Sequence, residues 1–390
     1  MIKSLENQYS QNCLHMHRTL EPKPFIWRLL LSAVIASAAA ASGCGGGSSD
    51  IAEKISNLSN TSPSVVAKIS SQSAPNQQMQ AVLDQLVALG SKPVNTLTVE
   101  QARTQPGPVD AVKALLVKQG KSTAPEPVGS VVERTFPGPA GPIPISIYTP
   151  VGAGPFPVVL YIHGGGFVIA DRKTYDSSAR ALTNAANAIV VSTDYRRAPE
   201  NRFPAAHDDT FAAYQWVRAN ASQFKGDPAR VAVAGESAGG NLAAAITLRA
   251  RDQSIPLPTY QVLIYPLTNY AFDTPSQLGN VNSAPLSSKD LPWFYERYLN
   301  NASEGANTLF SVLRANLQGL PAATVITADI DPLRSEGAAY AQKLSTSGVV
   351  VDYRNYPGVT HEFFGMGAVL SDSNQAVTQA AQGLKKAFGN

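Results

Sequence analysis

Residues 231–245 read VAVAGESAGGNLAAA, an apolar run that passes through a glycine-flanked serine into an alanine-rich stretch. This order predicts a buried strand, a tight turn around Ser237 and a helix that opens at Ala238. Glycines on both sides allow a strained backbone, which lifts the serine hydroxyl to the mouth of a sheet. The context favours a nucleophile over the alternative, a purely structural turn.

Short apolar runs alternate with helical patterns on both sides of this stretch. The predicted strands are 129–136, 143–149, 158–162, 189–193, 231–234, 261–265, 324–327 and 349–353. The predicted helices between and after them are 174–186, 206–219, 238–251, 333–345 and 374–388. Continuous apolar runs indicate strands that are covered on both faces. The alternation therefore predicts an α/β fold with a mostly parallel, eight-stranded, doubly wound sheet.

A serine nucleophile needs a base, and the body of the chain offers His163, His207 and His361. After a strand–turn–helix nucleophile the acid and then the histidine follow in chain order, which leaves His361. Spacing alone does not choose between Asp329 and Asp331 as the acid. The proline after Asp331 favours Asp331, because it begins a helix and keeps the preceding residue outside it. Asp329 is then expected to be a polar loop residue.

Residues 163–167 read HGGGF and follow the predicted strand 158–162. Three glycines let backbone N–H groups turn toward a developing oxyanion. A phosphate cradle is the rival interpretation, but no Lys-Ser or Lys-Thr pair follows at P-loop spacing. We expect His163 to organise this loop and His207 to lie at the surface or beside a cap. No metal site is expected, because the histidines lack carboxylate or cysteine partners at ligand spacing.

Composition excludes several classes of protein. The 390 residues are 44% hydrophobic and 15% charged, with a net charge of +3. High apolar content with little net charge excludes disorder for the bulk of the chain, and the weak charge gives no indication of a nucleic-acid partner. The two cysteines exclude a disulfide framework and a cysteine-based zinc site.

The segment 1–43 has the composition of an export signal. An apolar run at 29–41 follows Lys23 and Arg28; it is too short to span a bilayer but fits the core of a signal peptide. The run ends in small residues before Cys44, which resembles a bacterial lipobox. We therefore expect Cys44 to be lipidated and to anchor the protein to the cell envelope, in the outer membrane of a Gram-negative host. The alternative is cleavage nearby, which would release a periplasmic or extracellular protein.

The exported part divides into a tether, a helical region and a catalytic domain. Residues 44–77 are rich in Gly, Ser, Asn and Gln and predict a flexible tether. Helical spacing begins at Gln78, and Thr98 followed by Gln101 predicts a capped second helix within 78–127. Residues 128–390 form the predicted catalytic domain, which the aromatic-rich segment 270–301 interrupts as an insertion.

Six motifs in this order resemble the hormone-sensitive-lipase-like esterases, which are α/β-hydrolases. They are His163–Phe167, Asp194–Glu200, Phe203–Ala206, Gly235–Gly240, Asp331–Arg334 and His361. The resemblance implies an α/β-hydrolase fold with a helical cap built from 78–127 and 270–301. It implies a triad of Ser237, Asp331 and His361.

The same resemblance implies oxyanion donors at the backbone of Gly164, Gly165 and Ala238. The chain departs from the family pattern at Ser335, where an acidic residue is common, and at Glu362, where glycine usually follows the histidine. Ser335 is a change that can loosen the loop of Asp331, and Glu362 one that can alter the surroundings of His361.

The sequence as a whole predicts a serine carboxylesterase that acts on short-chain esters through an acyl-enzyme, without metal or other cofactor. A lipase, lactonase or amidase with the same triad remains an alternative, as does a non-catalytic anchored binding protein. The expected partner is a small-molecule ester, and the oligomeric state is left open.

Overall fold

The computed structural model describes residues 73–389, and within that range eight strands form one sheet in the order β1-β2-β4-β3-β5-β6-β7-β8. The strands are β1 Ser130–Gly138, β2 Gly141–Thr149, β3 Phe156–Ile162, β4 Ile189–Thr193, β5 Gly226–Glu236, β6 Gln261–Ile264, β7 Ala323–Ile330 and β8 Val351–Thr360. β1, β2 and β4 pair antiparallel, whereas β4, β3, β5, β6, β7 and β8 pair parallel. The predicted mostly parallel, eight-stranded sheet is confirmed.

Ten α-helices accompany the sheet in the described part of the chain. They are α1 Gln77–Ala88, α2 Val99–Thr104, α3 Pro108–Lys118, α4 Asp176–Ala186, α5 Ala205–Asn220, α6 Ala238–Asp252, α7 Pro275–Gly279, α8 Asp290–Tyr298, α9 Arg334–Thr346 and α10 Ser371–Phe388. The capping box predicted for the second helix is present: the Thr98 side chain accepts from Gln101 N, and Thr98 N donates to Gln101 Oε1. This reciprocal pair satisfies two of the free N–H groups at the start of α2.

The sheet separates two hydrophobic cores, because successive side chains of a strand point to opposite faces. Val158, Leu160 and Val233 pack with α5, α6 and α9 on one face. Val159 and Ala234 pack with α1, α3, α4 and α10 on the other. Both faces of the central strands are therefore buried, which is why their sequences are apolar without alternation.

The alanine-rich helix α6 packs against the sheet, and its first turn touches the backbone of β3. Ala243, Ala244 and Ala245 are buried, and a Cβ added to Gly239 would stand 2.1 Å from the carbonyl oxygen of Ile162 in β3. Small side chains at these positions allow the approach. As a result the start of α6, just after Ser237, is held against the carboxyl end of β3.

Element boundaries differ from the predictions mainly in β8 and in β5, which was expected at 231–234 but runs over Gly226–Glu236. β8 was expected at 349–353 but runs over Val351–Thr360, so that His361 follows the strand directly. The aromatic-rich segment 270–301 contains α7 and α8. Within residues 73–389 no helix is long and apolar enough to cross a membrane. The predicted signal peptide, Cys44 and most of the tether lie outside the described residues.

Candidate active site

Ser237 lies at the sharp turn between β5 and α6, and its backbone is strained. Its φ of 57° and ψ of −119° are rare for a residue with a side chain. The turn closes tightly around it, since a Cβ on Gly235 would meet the Gly239 carbonyl oxygen at 2.2 Å. Only glycine fits there, so the GESAG sequence holds the serine at the carboxyl edge of the sheet.

His361 brings the serine and an aspartate together. Its Nε2 lies 2.9 Å from Ser237 Oγ, and its Nδ1 lies 2.7 Å from Asp331 Oδ2. Asp331 is fully buried after β7, where its Oδ1 accepts a hydrogen bond from Leu333 N at 2.8 Å. Burial alone would lower the pKa of His361, but the negative charges of Asp331, Glu362 and Glu236 raise it above its ordinary value of 6.5.

Asp329, the other acid considered, does not reach the histidine. It lies near the end of β7, and its carboxylate pairs with Arg334 Nη1 at 2.5 Å. Asp329 and Asp331 thus have separate partners, and the structure places Asp331 beside His361. Ser335 connects the loop of Asp331 to the start of α7. Ser335 N donates to Ser276 Oγ and Ser276 N donates to Ser335 Oγ, each at 3.0 Å, so the loosening considered for this position is not observed.

The HGGGF loop passes next to the serine. A Cβ added to Gly164 would lie 3.1 Å from Ser237 Cβ, so the loop backbone approaches the nucleophile as closely as glycine allows. Within residues 73–389 the N–H groups of Gly164, Gly165 and Ala238 donate to no backbone or side-chain acceptor. These three N–H groups therefore have no competing acceptor in this part of the chain, as the oxyanion role predicted for them requires.

His163 organises this loop, as predicted. It is buried, stacks on Tyr195 with ring centroids 4.3 Å apart, and its Nδ1 lies 2.8 Å from the Gly164 carbonyl oxygen. Tyr195 donates a second hydrogen bond to the same oxygen at 2.9 Å. Burial lowers the pKa of His163, and the charge of Asp194 offsets only part of this effect. The lowered pKa favours the neutral form of the ring.

His207 does not lie at the surface, which was one of the two predicted positions; it lies beside α8 of the predicted cap segment 270–301, which was the other. The side chain is buried, with Nδ1 2.7 Å from the Tyr298 hydroxyl and Nε2 3.1 Å from Asn241 Oδ1 and 3.0 Å from the Leu309 carbonyl oxygen. Burial lowers its pKa to about 4. The aromatic helix α8 covers the start of α5 and buries His207. The local sequence of residues 203–209 does not indicate this burial.

A cavity of about 380 Å³ opens onto the serine. Ser237, His361 and Glu362 lie at its base, and its walls come from the N-terminal helices, the HGGGF loop and α8. The wall residues include Ala102, Val109, Phe167, Leu286, Phe294 and Tyr295. Phe294 reaches so far over the loop that a Cβ on Gly166 would overlap its ring. The two segments predicted as cap, 78–127 and 270–301, both contribute to this cavity.

Two further glutamates, Glu236 and Glu362, lie near His361, and their arrangement was not predicted from the sequence. Glu236 is buried and accepts hydrogen bonds from the hydroxyls of Tyr161 and Tyr265, while Tyr175 donates to Glu362 Oε1 at 2.8 Å. Burial and the neighbouring Glu362 charge raise the pKa of Glu236 to about 7. The tyrosine partners of Glu236 come from β3 and from the residue after β6, so the sequence around Glu236 gives no indication of these contacts.

The described residues contain no group of three or more histidine, cysteine, aspartate or glutamate side chains arranged to hold a metal ion. The three body histidines each have partners of a different kind. His361 pairs with Asp331, His163 with the loop backbone and His207 with Tyr298 and Asn241.

Comparison with known proteins relates this site to esterases. A family model described as alpha/beta hydrolase fold matches residues 159–365, more than half of the chain. The carboxylesterase NlhH of Mycobacterium tuberculosis is 39% identical over 251 residues, covering 63% of this chain and 79% of the relative. An ethyl acetate hydrolase of Pseudomonas putida is 31% identical over 299 residues, covering 75% of this chain and 92% of the relative.

A solved structure gives the same picture. An esterase of Pyrobaculum calidifontis superimposes with a TM-score of 0.72 and 37% sequence identity, over 80% of this chain and 98% of that chain. The residues 159–365 that the family model matches include Ser237, Asp331 and His361.

Proposed function

Since the chain belongs to the alpha/beta hydrolase fold family and is a carboxylic ester hydrolase, we propose that Ser237, His361 and Asp331 form its catalytic triad and that it hydrolyses short-chain esters. The observation that carries this proposal is the continuous hydrogen-bonded series from Ser237 Oγ to His361 at 2.9 Å and from His361 to Asp331 at 2.7 Å.

The first half of the reaction acylates the serine. His361 Nε2 takes the proton of the Ser237 hydroxyl while Oγ attacks the ester carbonyl carbon. The carbonyl oxygen becomes an oxyanion that the N–H groups of Gly164, Gly165 and Ala238 stabilise. His361 then gives its proton to the departing alcohol, and the acyl group remains on Oγ.

The second half of the reaction hydrolyses the acyl-enzyme and regenerates the free serine. A water molecule attacks the acyl carbon and gives a proton to His361 Nε2, and the collapsing intermediate breaks the bond to Ser237 Oγ, which recovers that proton. Asp331 holds the imidazole in the tautomer with hydrogen on Nδ1 and stabilises the imidazolium form. No metal and no cofactor takes part in this scheme.

The size of the cavity supports short acyl chains. Its volume of about 380 Å³ is at the lower end of the range for ligand pockets, and Phe167, Phe294 and Tyr295 close its sides. A relative 31% identical to this chain is an ethyl acetate hydrolase, whose substrate has a two-carbon acyl group. A long-chain lipase would need a longer apolar channel, so the short-chain esterase is the better supported of these two readings.

The N-terminal sequence supports export and anchoring. The apolar run at 29–41, the small residues after it and Cys44 together fit a lipoprotein signal. We propose that the enzyme is lipid-anchored at the cell envelope through Cys44. Expression in a bacterial host with and without Cys44→Ser tests this: membrane fractionation should find the enzyme with the membranes, and the variant in the soluble fraction. Equal membrane association of both proteins would refute the anchor.

Steady-state hydrolysis of p-nitrophenyl esters of increasing acyl length tests the catalytic proposal. Activity should be highest for two- to four-carbon acyl groups, by the size argument above, and Ser237→Ala should reduce it at least about a thousandfold. Ser222→Ala, an exposed serine in the same chain, is the matched control and should remain fully active. A fully active Ser237→Ala would refute the assignment, and a maximum at long chains would refute the substrate range.

A further inference from the structure

Glu362 brings a second carboxylate to the catalytic histidine. Its Oε1 lies 3.8 Å from His361 Nε2, the nitrogen that faces Ser237, whereas Asp331 binds Nδ1 on the other side of the ring. Tyr175 donates a hydrogen bond of 2.8 Å to the same Oε1 and fixes its position. The carboxylate therefore stands on the side of the imidazole where proton transfer takes place.

The backbone of Glu362 is held in a conformation that is uncommon for a residue with a side chain. With φ at 71° and ψ at 9°, the residue is in the left-handed region, which glycine adopts without strain and glutamate does not. A strained residue persists only where the surrounding structure enforces it, and such residues cluster at functional sites. Here the Tyr175 hydrogen bond and the neighbouring His361 hold the strained residue in place.

Glu362 also lies where two cavities meet. The substrate cavity contains Ser237, His361 and Glu362, and a second cavity of about 840 Å³ contains Glu362 and Glu236 but neither Ser237 nor His361. Tyr175 lines both cavities as well. The second cavity therefore meets the substrate cavity at Glu362 and Tyr175, and Ser237, which would carry the acyl group, is not among its lining residues.

We propose that Glu362 is a further catalytic residue, which holds the hydrolytic water at His361 Nε2 during deacylation, and that this water arrives through the second cavity. A separation of 3.8 Å allows one water to donate hydrogen bonds to both Glu362 Oε1 and His361 Nε2. The water oxygen then attacks the acyl carbon, and its proton passes to His361 Nε2. Glu362 orients the water and keeps its own protonation state throughout. This inference rests on the proposed acyl-enzyme mechanism.

Rapid-mixing kinetics of the full chain with p-nitrophenyl acetate separate the two half-reactions. The first release of p-nitrophenolate reports acylation, and the steady rate that follows reports deacylation when that step is slower. Glu362→Gln preserves the shape of the side chain, and Glu362→Gly removes it without backbone strain. Glu126→Gln, which removes a carboxylate from the second cavity but makes no contact with His361, is the control.

At a pH where His361 is neutral in all of the proteins, so that loss of the Glu362 charge does not change the fraction of free base, both Glu362 variants should acylate within about twofold of the wild type. They should deacylate about ten- to hundredfold more slowly, the range expected for loss of one charge-assisted hydrogen bond. Hydroxylamine, a stronger nucleophile, should restore part of the turnover. Glu126→Gln should match the wild type. Unchanged deacylation in the variants would overturn the proposal, and so would equal slowing of both steps together with a lowered Tm, which would indicate structural support. A wild-type protein that hydrolyses no ester would overturn the proposed function as well.

Discussion

Replacing Glu336 by glutamine should make the enzyme more stable, and more so as the pH rises. Glu336 is buried in the first turn of α9, where its Oε1 accepts hydrogen bonds from Thr268 N at 2.7 Å and Asn269 N at 3.2 Å. Its Oε2 is buried without a partner in the described part of the chain. Burial, aided by the charge of Asp331, raises its pKa from 4.5 to about 8. At neutral pH the folded protein therefore holds this carboxyl mostly in its protonated form.

The raised pKa sets the direction and the size of the effect. Because the folded state binds this proton more tightly than the unfolded state, the stabilising contribution is fully present below pH 4.5 and is lost as the pH rises to about 8. At about 1.4 kcal/mol per pKa unit, the wild type loses roughly 4 kcal/mol to this residue between pH 5 and pH 9. Glutamine imitates the protonated acid, keeps an acceptor for Thr268 N, and does not titrate.

Urea unfolding at pH 5, 7 and 9 measures the effect. The difference in unfolding free energy between Glu336→Gln and the wild type should grow by roughly 4 kcal/mol across this range. Glu296→Gln, an exposed glutamate of α8, is the control and should show a constant difference. A constant difference for Glu336→Gln as well, or a variant less stable than the wild type at pH 9, would refute the reasoning.

Three further predictions concern the catalytic base, the serine turn and the buried histidine. Because His361 must be neutral to act as a base, its raised pKa places the acid limb of the kcat/KM profile above pH 6.5. Asp331→Asn should move that limb to lower pH and reduce kcat by about 10³–10⁴-fold. A pH–rate profile of both proteins measures these effects. Gly239→Ala forces a Cβ to 2.1 Å from the Ile162 carbonyl oxygen, so urea unfolding should show a loss above about 2 kcal/mol. His207 stabilises the fold above pH 6.5, and this contribution, up to about 3 kcal/mol, is lost as the pH falls toward 4; the stability of His207→Gln should depend less on pH over that range.

The strands of the sheet and their succession with the helices along the chain were predictable, because buried strands form apolar runs in the sequence. β4 was predicted to the residue, and β3 and β6 within two residues, since their burial on both faces leaves a continuous apolar run. β8 was predicted to end too early, because after residue 353 the strand continues through the polar Arg354 and Asn355 and then through Pro357 and Gly358. Pairing with β7 holds that irregular segment, and such pairing is not visible in the local sequence.

The residues that sequence reasoning proposed for the site meet in space because they follow strands of one parallel sheet. Ser237 follows β5 and Asp331 follows β7, so the carboxyl ends of these strands bring them to one edge. The contacts around these residues were harder to predict from the sequence. His207 is buried by α8, and Glu236 has tyrosine partners from β3 and from the residue after β6, contacts that only the tertiary fold creates.

The close packing of α6 limits where this enzyme can diversify. Any larger side chain on its alanine face would push the helix away from β3 and take Ser237 with it, so mutational tolerance there should be very low. The N-terminal helices and α8 shape the cavity without carrying the serine, the histidine or the aspartate. Libraries for altered acyl or alcohol preference therefore belong at the cavity-lining positions of these cap segments, where a substitution leaves the serine, the histidine and the aspartate in place.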